Sequence, residues 1–427
     1  MSIKTGTAQS TFWKNLGHRF EFVGPLKNYP GFRRFYIGIA SSTFGQTMLM
    51  FFCFTWLMYD ITKDARALGL VGAALALPSV SLNLFGGVLA DRLDPRRLLS
   101  LSHWAMVVQL SVLGLLAFLD HVEPWHVILA AALFGGTLAL LDPARISTYP
   151  RLVNKQDLHH AVALTAFLYP TMRVTGPAVA AFLVMSGGIA ITIWLAALAY
   201  LWMAVMAPTL KLSPADRAKG NMFKEMLGGL AFIKDHNIFL FIVSLSFINS
   251  IFASSYLFLM PVFAFEVLHV GDAGMGWLLS VSGVGAIVGA FLGASLGAFR
   301  RRGWAIIGAA ICVGFLVACF GLSPWFWSSL FLTFLIGMSN SFLNVNLMIT
   351  IQTLVPNEYR GRVIGTYLMT YSLMPLGALQ SGFISAYVSP QFALVLGGSI
   401  VVIAAMFIGF GTRHIRTIGT AGIAGKG

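Results

Sequence analysis

Few side chains in this 427-residue chain could do chemistry in an apolar setting, and they are far apart in sequence. Arg173 is the single charge in "ALTAFLYPTMRVTGPAVAAFLV", residues 163–184. At about 1.5 Å of helical rise per residue it stands about 21 Å into its apolar run, near the middle of a bilayer. A charge at that depth is costly unless it faces a cavity or a partner, so it marks function by default. Two readings stand side by side: Arg173 meets an anionic or polar substrate, or it forms a structural pair or bonds carbonyls loosened by Pro170 and Pro177. The nearest acid in depth is Asp142, about 12 Å from the end of the preceding run. It is the one acid of fifteen that falls inside a run rather than in a loop or at a rim. No histidine lies at the centre of a run, and His103 is near an end. Ion coupling would therefore rest on Asp142, on a rim acid such as Asp60 or Glu266, or on nothing. No nucleophile with a base, metal-ligand cluster or phosphate loop accompanies these groups, so no catalytic residue, metal or cofactor is expected, and an enzyme is not.

The elements that must position these groups are apolar helices. The chain is 57% hydrophobic and 10% charged, with a mean hydropathy of +0.81, which excludes an ordinary water-soluble domain. Apolar runs of roughly 20 residues recur, long enough to cross hydrocarbon as helices, whereas barrel strands would alternate over roughly 10 residues. Spans are expected at about 35–59, 67–90, 98–119, 126–149, 159–185, 187–207, 237–265, 273–298, 304–322, 325–353, 362–386 and 390–412. The expected organisation is therefore a segment 1–34, a six-span bundle 35–207, a central loop 208–236, a second bundle 237–412 and a tail 413–427. Segment 1–34 lacks the short apolar core of a signal peptide. Met222, Met226, Leu230 and Ile233 recur at helical spacing in the central loop, which fits a surface helix on the membrane or a linker helix packed on the bundle ends.

Of the 28 Lys and Arg residues, 25 collect on one side of this layout and only Lys63 and Arg66 on the other. The asymmetry predicts a multi-pass protein of the cytoplasmic membrane with both termini and the central loop inside. A net charge of +13 could attract nucleic acid, but no basic run is interleaved with exposed aromatics, so the partner is the bilayer. Cys53, Cys312 and Cys319 read as small apolar fillers.

The halves look like parallel repeats. "RLVNKQDLHHAVALTAFLYP" laid over "TLVPNEYRGRVIGTYLMTYS" matches Leu152 with Leu354, Val153 with Val355 and Tyr169 with Tyr371. Such repeats place a substrate site near the midplane between halves. Its candidate lining is mostly neutral: Thr43, Gln46, Asn249, Asn340 and Asn344, with Tyr169 and Tyr371 among aromatics and methionines. A soft cavity with scattered amides suits a bulky amphipathic ligand, although such amides also bond helices together.

The loop "GGVLADRLDPRR", residues 86–97, joins two spans and resembles the signature loop of the major facilitator superfamily. "QTLVPNEYRGRVIGTYLMTYSLMPLGAL" and "DPARISTYPRLVNKQDLHHAVAL" resemble the drug-and-siderophore exporter branch, which includes macrolide efflux pumps and the enterobactin exporter. The resemblance covers nearly the whole chain. It implies an all-α membrane fold of twelve helices in two pseudo-symmetric six-helix bundles. It also implies alternating-access export of a small molecule, with protons as one candidate for the coupling ion and a single chain expected to suffice. The gate residues that match are Gly87, Asp91 and Arg92, with Arg96 or Arg97. Glu358, Arg360 and Arg362 can pair with that loop to hold the inner face shut, or stand as solvated charges. Gly176 and Pro177 resemble part of an exporter motif, where glycine lets helices approach closely. A lipid carrier of the same fold and a transport-inactive scaffold are the alternatives.

Overall fold

The computed structural model describes residues 24–92, 94–154, 156–213, 222–295 and 302–411, and every regular element among them is helical. The first four long helices are α1 (Pro30–Thr62), α2 (Ala65–Arg92), α3 (Pro95–Phe118) and α4 (Pro124–Thr148). Three of them begin at proline, whose missing N–H costs nothing in a first turn. Asp94 caps α3 by accepting from the Arg96 backbone N–H at 3.0 Å. At α4 the cap is reciprocal, and the Glu123 backbone N–H donates to His126 Nδ1 at 2.9 Å.

The 49-residue α5 (Leu158–Met206) contains Gly188 at φ 81°, ψ 173°, a conformation left to glycine, and the helix divides there. Thr47 of α1 touches Gly176 in the first arm while Gly45 touches Ala196 in the second, so the arms run side by side. There follow α6 (Met222–Asp235), α7 (Asn237–Val267), α8 (Gly271–Ser295), α9 (Arg302–Gly321) and α10 (Phe326–Leu354). The chain closes with α11 (Asn357–Ser372), α12 (Leu376–Tyr387) and α13 (Pro390–Gly411). Sequence reasoning expects one span over 362–386. The structure breaks it at 373–375, where Pro375 cannot donate to the helical ladder.

Ten helices among the described residues are long and apolar enough to cross a membrane, the kinked α5 counting once. Large apolar side chains such as Val108, Phe182, Phe291, Phe331 and Phe407 point outward, the distribution lipid demands. Trp125, Trp325 and Trp327 are exposed at helix starts, where an aromatic belt belongs.

The two halves repeat each other. α2 packs on α4 and α3 on the second arm of α5, as α8 packs on α10 and α9 on α13. α1 and α7 each carry a π turn, at Leu49–Cys53 and Asn249–Ala253. Such bulges re-aim side chains and recur at functional sites. The halves meet along α2 against α12 and the first arm of α5 against α8. α6 is a linker helix packed on bundle ends: Phe232 stacks on Tyr359 of α11, ring centroids 4.5 Å apart.

The α3 cap gives a testable contribution. Hydrogen bonds from Arg96 hold the Asp94 carboxyl below the usual carboxylate range. A depressed folded value means this stabilisation is full above the unfolded value of about 4 and fades only as pH falls below it. Asp94→Ala should lower thermal stability at pH 7 by about 1 kcal/mol, with the difference shrinking in melts taken at lower pH.

Candidate functional site

Side chains deep in the helices but open to solvent mark a cleft between the halves. The Asp142 side chain in α4 is 57% exposed. Tyr169 in the first arm of α5 and Tyr371 in α11, matched as repeat partners, are 41% and 37% exposed. They lie within electrostatic reach of each other and of Arg173. The Arg173 guanidinium sits over the Phe51 ring, 5.5 Å from its centroid. No ion pair joins Arg173 to Asp142 among the described residues; Asp142 lies 3.6 Å from Arg145, one turn away on its own helix. The cleft thus offers a cation on an aromatic face, two phenols and an exposed carboxylate, which can bind and orient a polar aromatic or amphipathic molecule.

Behind Tyr371 runs a polar ladder. Its hydroxyl stands 3.0 Å from that of Tyr367, and Tyr367 donates to the Asn344 carbonyl at 3.2 Å, so Tyr371 donates to Tyr367. Asn344 Nδ2 donates to Asn340 Oδ1 at 2.7 Å. Of the candidate lining residues, Thr43, Asn249 and Asn340 are buried in helix contacts and Asn344 is half-buried. Gln46 is also buried and accepts from Arg145 Nη1 at 3.4 Å. Gly176 and Pro177 are buried where the first arm of α5 crosses α1, and a side chain at 176 would run into the Thr47 hydroxyl.

Among the described residues the two ends of the bundle differ. At the end where the described chain starts and stops, the near end, Arg96 grips Asp94 at 2.6 Å and reaches the Leu210 carbonyl at 3.4 Å. Arg97 and Glu358 are exposed, Arg360 donates to the Val355 carbonyl at 3.3 Å, and Arg362 lies over the Tyr359 ring. Gly87, Asp91 and Arg92 close α2, but their side chains lie outside the described residues. Among the described residues no ion pair crosses between the halves at the near end. The far end is joined. Tyr59 Oη donates to Glu266 Oε1 and Trp56 Nε1 to Asp272 Oδ1, both at 2.5 Å. Arg66 lies over Tyr387, 6.0 Å from its centroid.

This architecture can be set against known proteins. A family model described as "transmembrane secretion effector", of major facilitator type, matches residues 22–418. The chain belongs to the major facilitator superfamily. Macrolide efflux protein A of Streptococcus pyogenes is 24% identical over 387 residues, 87% of this chain and 92% of that protein. The enterobactin exporter EntS of Citrobacter koseri is 23% identical over 327 residues, 76% and 78% of the two chains. The fold overlays the crystal structure of a bacterial homologue of the human lysosomal transporter Spinster with a TM-score of 0.71. The identity there is 13%, with 92% of this chain and 98% of that one covered.

Within this facilitator fold two groups have surroundings that the sequence did not show. Arg145, counted there among the inner-side charges, turns into the bundle with its side chain 13% exposed and donates to Ser42 Oγ at 3.1 Å. It thereby ties α4 to α1. His103 is fully buried beside Tyr200, their rings 5.8 Å apart. The far-end pairs were missed apart from Glu266 as a rim acid. Their one signal in the sequence is hydrogen-bonding aromatics ending one half's first span and acids at the matching rim of the other.

Proposed function

We propose that this chain is a secondary transporter that exports an amphipathic small molecule across the cytoplasmic membrane by alternating access. The observation that carries the reading is the asymmetry of the ends among the described residues. Pairs from Trp56, Tyr59 and Arg66 bridge the halves at the far end, while a cleft bearing Asp142, Tyr169, Arg173 and Tyr371 stays open to solvent. A symmetric pair of bundles that shuts at one end and opens at the other is what rocking about a midplane site requires.

Counting both arms of α5 and taking α11 with α12 as one pass gives twelve passes, and the lysine and arginine asymmetry puts the near end in the cytoplasm. In that reading Gly87, Asp91, Arg92, Arg96, Arg97, Glu358, Arg360 and Arg362 form the latch of the opposite state, when the far end opens. Arg173, backed by Phe51, selects ligands with a polar or anionic group, and the two tyrosines stack on their apolar bodies. The names of the relatives, a macrolide efflux protein and an enterobactin exporter, fit large amphipathic molecules.

The test is efflux of fluorescent amphipaths and siderophores from vesicles under an imposed pH gradient. Wild type should move at least one class, and Arg173→Ala should lower its rate at least about tenfold at equal protein level, a loss of about 1.4 kcal/mol. If Asp142→Asn alone abolishes the response to the gradient, Asp142 carries the coupling proton. A wild type that moves nothing in the panel yields the case to a lipid carrier or a scaffold.

A further inference from the structure

His103 lies in α3 with its ring fully buried. Its Nδ1 stands 2.7 Å from the Leu99 carbonyl. A carbonyl only accepts, so Nδ1 carries the hydrogen and Nε2 presents a lone pair. That Nε2, the Nε of Arg145 and the hydroxyl of Tyr200 are each buried without a hydrogen-bond partner. They share one neighbourhood: the His103 and Tyr200 rings are 5.8 Å apart, and Arg145 lies within electrostatic reach of both. Three orphaned polar atoms in one place are exceptional inside a packed bundle, where such groups are almost always satisfied. An acceptor with two donors is a set that a water, or a proton delivered by one, completes.

The charges around His103 are few. α4 supplies Arg145 and Asp142, the second arm of α5 supplies Tyr200, and α1 supplies only the neutral Ser42 and Gln46, both held by Arg145. A proton on Nε2 would set an imidazolium against the Arg145 guanidinium in a poorly solvated pocket. The repulsion is relieved if the guanidinium leaves Ser42 and Gln46 and turns toward Asp142, already 3.6 Å away.

We propose that His103 binds a proton during the transport cycle, and that this proton and the hold of Arg145 on α1 exclude each other. Protonation then frees α1 from α4 at the depth of the cleft, and deprotonation restores the tie. The proposal rests on the alternating-access reading and adds to it a proton-binding group distinct from Asp142.

The test needs no substrate. Spin labels placed at Asp60 and His269, exposed far-end positions on opposite halves, report the distance between halves in the full reconstituted chain, in a background freed of its three cysteines. In wild type the distance distribution should titrate with pH through a single midpoint, as a histidine that binds a proton during the cycle requires. His103→Gln, which keeps a donor for the Leu99 carbonyl, should abolish that midpoint, while Asp142→Asn should retain one. Tyr200→Phe, which removes one hydroxyl and keeps the ring, should displace it and serves if His103→Gln does not fold. A wild type without a midpoint, His103→Gln titrating like wild type, or Tyr200→Phe leaving the midpoint unmoved each overturns the proposal. A panel with no transported compound would sink the export reading and leave this titration untouched.

Discussion

Gly72→Leu should hold the far end open and reduce transport at least about tenfold without unfolding the protein. In the structure a β-carbon at Gly72 would collide with the Pro375 carbonyl of the other half, and one at Gly382 would meet the Ala65 carbonyl at 2.5 Å. The α2 and α12 backbones approach this closely only because both positions lack side chains. Overpacking a close contact costs typically about 1–3 kcal/mol, and leucine at this position adds four carbons against a rigid carbonyl. The penalty falls only on the state in which the far end is shut. The hydrogen bonds of Tyr59 to Glu266 and Trp56 to Asp272 would have to compensate, and a hydrogen bond to a carboxylate contributes only about 1.5–3 kcal/mol, no more than the clash costs. Distances between labels at Asp60 and His269 should therefore lengthen in Gly72→Leu, and far-end positions should react faster with a membrane-impermeant thiol reagent once cysteines are placed there. Unchanged distances with full transport would mean that α2 and α12 do not separate during the cycle.

Much of this arrangement was legible because it depends on linear patterns. Apolar length revealed the helices, and the gap-free match of Tyr169 with Tyr371 pairs two side chains that the structure brings within electrostatic reach of each other. The bend at Gly188 falls where the sequence places a boundary between spans, since only a residue without a β-carbon readily takes φ 81°. What stayed hidden depends on direction. Arg145 lies three residues from the end of α4, among charges that set topology, and nothing in the local sequence says that its long side chain turns inward to Ser42. His103 was placed near an end, yet burial depends on neighbours contributed by α4 and α5, which hydropathy does not see. The break between α11 and α12 was missed because a lone proline in an apolar run can kink a helix without ending it.

The deepest loss should come from Arg145. Its guanidinium joins α4 to α1 through Ser42 at 3.1 Å and Gln46 at 3.4 Å, and it faces Asp142 on its own helix. Arg145→Met keeps an unbranched apolar stem and removes the fork, leaving the Gln46 side-chain oxygen buried without a donor and Asp142 without its cation. Hydrogen bonds from a charged donor contribute about 1.5–3 kcal/mol, more than neutral ones. Asp142, 57% exposed, keeps its water, so the cost falls mainly on the tie between helices. Transport should drop by at least about a hundredfold in Arg145→Met, given about 2.7 kcal/mol lost from a state the cycle must pass through. Arg145→Lys separates two causes. Lysine carries the charge but is shorter and lacks the planar fork, so it can face Asp142 yet does not hold Ser42 and Gln46 in the arginine's geometry. If lysine restores transport, the charge beside Asp142 is what the cycle uses. If it fails as methionine does, the fork that holds α1 is the working part, and Arg145 acts as the clasp that must open before the cleft can change sides. Methionine transporting at the wild-type rate would remove Arg145 from the cycle altogether.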